Sequence, residues 1–106
     1  MKIITLCGSV RFRALFDEVN ARLTAEGFIV LQPGIWDHAY LHTKEHNAEF
    51  LKDGLDKLHC EKISLSSAIF VINPGGYVGK STASEIAFAR AHGKEIIWLE
   101  PRERDD

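Results

Sequence analysis

Four short apolar runs constrain this chain more than any other feature. Residues 2–6 (KIITL), 28–31 (FIVL), 68–73 (AIFVIN) and 95–99 (EIIWL) are apolar almost throughout rather than alternating. A strand with one wet face alternates. A strand without a polar face is covered on both sides, as in a parallel sheet between helices. The intervening segments read as those helices. Ser9 stands where an N-cap belongs, and Phe12, Leu15, Phe16, Val19 and Leu23 follow at helical spacing until Gly27. The next helix is predicted over about residues 44–65, with Leu51, Leu55 and Leu58 as its buried stripe. A third is predicted to start near Ser81 or Thr82, with Ala83, Ile86, Ala87 and Ala91 as a narrow inner face and Gly93 at C′. The order β-α-β-α-β-α-β with right-handed crossovers predicts a three-layer, Rossmann-like or flavodoxin-like α/β domain over all 106 residues. Its sheet has four parallel strands in the order 2-1-3-4, and ligands are expected outside the carboxyl ends of strands 1 and 3.

Composition narrows the partners. Thirteen basic against 15 acidic residues give a net charge of −2, which argues against a nucleic-acid-binding surface. No apolar run approaches the ~20 residues of a membrane helix, and the first residues lack the pattern of a signal peptide. Cys7 and Cys60 are far apart, with no CxxC, and read as free thiols in the cytoplasm.

Two glycine-bearing loops flank the expected ligand site. In CGSVRFR, Gly8 permits close backbone approach, Ser9 offers a hydroxyl, and Arg11 offers a forked cation at a helix N-terminus. The same residues also make an ordinary strand–turn–helix junction. In NPGGYVGKSTASE the ending GKST suggests a Walker loop but fails by register, because Pro74 stands where the first glycine belongs. What survives is an anion pocket built from Gly76, its neighbouring glycines and Ser81. Glu85 has two readings. Thr82-Ala-Ser-Glu85 fits a capping box. Alternatively, a first-turn carboxylate held ionised by the helix dipole can attack an anomeric carbon. His38, His42 and His46 fall at i, i+4, i+8, but Pro33-Gly34 keeps His38 off the helix and no HExxH completes a metal site. In the segment 36–40, Trp36, Asp37, His38 and Tyr40 combine stacking with hydrogen bonding. That suits a nucleobase pocket, or equally a surface loop anchored by Trp36.

These segments together resemble the nucleoside 2-deoxyribosyltransferase-like family, which includes deoxynucleoside 5′-monophosphate N-glycosidases. The carriers are CGSVR, the segment AIFVINPGGYVGKSTASEIAFARAHGKEI and the helix before it, so the resemblance spans nearly the whole chain. It implies that Glu85 is the nucleophile and that Gly8, Ser9, Arg11 and Ser81 hold a 5′-phosphate or the ribose. Members carry an aspartate upstream of an Ala-Asp pair before the third strand. Here Ser66-Ser67 replaces the pair and His59 stands near the upstream acid, with Asp56 and Glu61 as neighbouring alternatives. The first-strand tyrosine of the transferases has no counterpart beside Thr5 and Leu6.

The expected reaction is a retaining displacement at C1′ of a deoxyribonucleotide, with His59 protonating the departing base and no metal or cofactor. The alternatives are a nucleotide sensor without turnover, and an N-glycosidase for another nucleotide such as a nicotinamide dinucleotide or a cytokinin-like ribotide. Phe50 and Phe88 at the edges of their helical stripes, together with the resemblance, lead to the expectation of a homodimer or larger homo-oligomer.

Overall fold

The computed structural model describes residues 2–36 and 48–101, without the side chains of residues 48–50. Strand β1 (Ile3–Gly8) leads through a 3₁₀ turn (Val10–Phe12) into helix α1 (Arg13–Ala25), followed by β2 (Ile29–Leu31). Helix α2 (Ala48–Leu65), β3 (Ala68–Ile72), a second 3₁₀ turn (Pro74–Gly76), α3 (Lys80–Ala91) and β4 (Glu95–Trp98) complete the order. The strands form one parallel sheet, β2-β1-β3-β4. The molecule is thus an α/β protein of Rossmann-like or flavodoxin-like topology, as the apolar runs predict.

Alternation along the two central strands divides the core. Ile4 and Leu6 of β1 and Ala68, Phe70 and Ile72 of β3 pack with Phe16, Val19 and Leu23 of α1. The intervening residues point the other way. Cys7, Ile69 and Val71 pack with Ile63 of α2 and with Ile86 and Ala89 of α3. Both faces of β1 and β3 are therefore covered, which is why neither strand carries a polar stripe.

The inner faces of α2 and α3 differ from the expected ones. On α2, Leu51 and Leu55 are only half-buried and Leu58 is 59% exposed, while Ile63 is fully buried. On α3 the inner residues are Thr82, Ile86 and Ala89, whereas Ala83, Ala87 and Ala91 are exposed. Alanines fit a helix anywhere, so they do not mark a face by themselves. The true face also turns Glu85 inward, one position from Ile86.

Polar contacts fix the C-terminal end of α2 on the sheet. The buried hydroxyls of Thr5 and Ser66 meet each other and the Lys62 carbonyl oxygen. Ser67 donates from its backbone and its hydroxyl to the Ile3 carbonyl. The serine pair is thus a joint between α2 and β1.

Candidate functional site

The loops that follow β1, β2 and β3 surround a cavity of about 650 Å³ at the carboxyl ends of the strands. Gly8 and Ser9 form one wall, Pro33, Gly34 and Ile35 a second, and the start of α3 from Gly79 to Thr82 a third. Helix α2 closes the remaining side with Lys52, Leu55, Asp56, His59 and Lys62. Gly79 is the N-cap of α3 and no side chain caps it. The N–H groups of Lys80, Ser81 and Thr82 therefore begin the helix without intrahelical partners, at an edge of the cavity.

Glu85 lines this cavity from the second turn of α3. A capping box is excluded by the helix start at Lys80, since Glu85 lies too far along to reach the Gly79 N–H. Its side chain is 19% exposed, and Oε1 is buried without a hydrogen-bond partner. Nε2 of His59 lies 3.6 Å from it, beyond hydrogen-bonding reach. Burial pushes the Glu85 pKa up to about 7. The neighbouring Cys7 thiol and Lys52 oppose that rise, and the charge of Asp56 adds to it. The expectation of a dipole-held carboxylate in the first turn is therefore corrected: Glu85 sits in the second turn, where the dipole has fallen off, and desolvation leaves the group poised between its two forms near neutrality.

His59 lines the cavity beside Glu85, and Cys7 lies buried against it. The His59 side chain is 11% exposed, and burial, with the charge of Lys62 nearby, pulls its pKa down to about 4. It is neutral imidazole at neutral pH, so it holds no imidazolium proton to give a departing base. Cys7 is fully buried, with Sγ 3.4 Å from His59 Nε2. Burial, followed by the nearby Glu85 charge, raises its pKa well above that of an ordinary thiol.

Of the residues singled out in the sequence, the fold brings Gly8, Ser9, His59, Ser81 and Glu85 to one cavity. Arg11 and Gly76 are not on its wall. The Arg11 guanidinium stacks over the rings of Phe12 and Tyr77, 4.7 and 4.5 Å from their centroids, and ties together the loops after β1 and β3. Gly76 belongs to the turn after β3, where the Gly75 N–H already donates to the Glu100 carboxylate. Buried Asn73 exchanges two hydrogen bonds with the Glu100 backbone, so that turn is tied to the end of β4. Trp36 packs edge-on against Phe16 on the α1 face, as an anchor for its loop. Asp37, His38, Tyr40, His42 and His46 lie outside the described residues. Phe88 is half-buried and stacks on His92, while the Phe50 side chain lies outside the described side chains.

Cys7 and Lys52 were not read as site residues from the sequence, although His59 and Asp56 of the same helix face were. A signal exists for each. Cys7 has the parity of Thr5, opposite to Ile4 and Leu6, at the carboxyl end of β1. Lys52, Asp56 and His59 recur at helical spacing, beside the more conspicuous leucines. Both cysteines are free thiols, and among the described residues no helix is long and apolar enough to cross a membrane. Compared with protein-family models, curated proteins and solved structures, the chain matches none.

Proposed function

We propose that the cavity binds a deoxyribonucleoside 5′-monophosphate and breaks its N-glycosidic bond through Glu85. The observation that carries this reading is the Glu85 carboxyl, largely buried and with one oxygen unpartnered in a cavity large enough for a nucleotide. Asp56 is a second carboxyl group on the wall, near enough for its charge to push Glu85 upward. Two carboxyl groups across one cavity are the equipment of retaining glycoside cleavage. The Glu85 carboxylate attacks C1′, and the C1′–N electron pair leaves with the base, which takes a proton from solvent water reaching the open cavity. A second water gives its proton to the Asp56 carboxylate, which returns it to solvent, while the water oxygen attacks C1′ and releases the sugar phosphate and Glu85. A second base in place of water gives transfer. The 5′-phosphate is assigned to the unpaired N–H groups at the start of α3, with Lys80 and Ser81. Arg11, held on Tyr77, and neutral His59 serve the shape of the site in this reading.

The test is free base, followed by chromatography, from deoxyribonucleotides, deoxynucleosides, ribonucleotides and nicotinamide dinucleotide. Deoxyribonucleotides are expected to be the substrates. Since the attacking form is the carboxylate and its pKa is raised to about 7, kcat/KM rises about tenfold per pH unit below 7 and levels off above it. A nucleotide-dependent thermal shift without base release would establish a sensor instead. Release from the nicotinamide dinucleotide alone would move the substrate class.

The reading includes a homo-oligomer. Leu65 at the end of α2 is 67% exposed and Leu58, at the edge of the cavity, 59%, and apolar surface of this kind is commonly covered by another chain. Light scattering at micromolar concentration is expected to give at least twice the mass of one chain. A single-chain mass defeats the expectation.

A further inference from the structure

Cys7 Sγ and Glu85 Oε1 converge on the same nitrogen of His59, at 3.4 and 3.6 Å from Nε2. In a nucleophile–histidine–acid relay the two partners sit on different ring nitrogens, so that one receives the proton while the other orients the ring. Two partners on one nitrogen do not form that relay. A cation needs the opposite arrangement, with all donors aimed at one point.

The donor atoms of Cys7, His59 and Glu85 all lie within 4.8 Å of one another. Bonds of about 2.3 Å to sulfur and 2.0–2.1 Å to nitrogen and oxygen, at tetrahedral angles, place neighbouring donors roughly 3.3–3.6 Å apart. The two separations to Nε2 already have that spacing. Oε1 is a second, independent sign, because it is buried and has no hydrogen-bond partner. A buried acceptor left unpaired is costly, and a cation satisfies it. The mixed sulfur, nitrogen and oxygen set suits zinc or cobalt and not magnesium or calcium, which take oxygen ligands.

We propose that Cys7, His59 and Glu85 bind one divalent cation of the zinc class, with a fourth position open to the cavity. The site stands on donor geometry and does not depend on the glycosidase reading. It has a consequence for that reading. A cation on Oε1 withdraws electron density from the Glu85 carboxylate, so metal binding weakens the nucleophile of that reading.

The test is titration of the reduced full-length protein with Co²⁺, without nucleotide, followed by displacement with Zn²⁺. One Co²⁺ per chain is expected, with a thiolate-to-cobalt charge-transfer band that Zn²⁺ removes. Cys60→Ser keeps the band and Cys7→Ser loses it. His59→Gln, checked for folding by circular dichroism, weakens affinity at least tenfold. Absence of the band in the wild type, its survival in Cys7→Ser or its loss in Cys60→Ser overturns the proposal. With no nucleotide present, that failure leaves the glycosidase reading standing, and absent base release would leave the metal site standing.

Discussion

Glu85→Gln is expected to abolish base release while making the protein more stable above neutral pH. The amide fills the same space but does not form a glycosyl ester with C1′. Residual release within about tenfold of wild type, only ~1.4 kcal/mol of barrier, would remove Glu85 from the nucleophile's role. Stability supplies an independent check. The folded-state pKa of Glu85 is raised to about 7 from an ordinary 4.5, so the folded protein holds this proton more tightly than the unfolded chain. Its stabilising effect is complete below about pH 4.5 and is lost as pH rises through about 7. The loss amounts to about 3 kcal/mol, since each tenfold difference in proton affinity between folded and unfolded chain is worth about 1.4 kcal/mol. Glutamine has no such titration. Urea unfolding should therefore show the variant more stable than wild type at pH 8, with the difference shrinking at pH 5. Equal pH dependence of the two proteins would mean that the carboxyl is not desolvated. His59 contributes in the opposite direction in both proteins. Its pKa is depressed to about 4, so its stabilising contribution is present above 6.5 and is lost as pH falls through 4.

Gly8→Ala carries the second large effect. Gly8 pairs with Ile72 where β1 and β3 lie side by side at the wall of the cavity. A Cβ there would sit 2.9 Å from the Ile72 carbonyl oxygen, 3.0 Å from Ile72 Cβ and 3.3 Å from Phe16 Cζ. Two of these contacts involve a central strand that is itself packed on both faces, and a packed strand yields little. The substitution should destabilise the fold by about 3 kcal/mol, at the upper end for one added methyl group in a filled core. A lower urea midpoint with an unchanged slope would report it as lost stability. A change under about 0.5 kcal/mol, the range of ordinary surface substitutions, would mean that β3 gives way. Gly8 is thus required by close packing, and the same absence of a side chain leaves that wall of the cavity open.

Sheet type and strand order were legible in the amino-acid sequence, because burial on both faces removes polar residues from β1 and β3, and covalent connection through helices allows few orders. The location of the cavity followed from that order. Gly8, Ser9, Ser81 and Glu85 could be assigned to it because each lies in or just after a loop at a strand's carboxyl end. Local pattern misled where several faces were apolar enough. The leucines of α2 form a regular stripe, yet the sheet is met by Ile63, while Leu55 and Leu58 line the cavity beside Lys52, Asp56 and His59. Only the tertiary structure brought Cys7, His59 and Glu85 together, since 52 residues separate the first two and the third comes from another helix. It also decided their charge. A side chain's type sets its ordinary pKa, but the shift of Glu85 to about 7 and of His59 to about 4 depends on how much water two helices and a strand exclude. Desolvation is a property of the packed assembly, and no run of neighbouring residues encodes it.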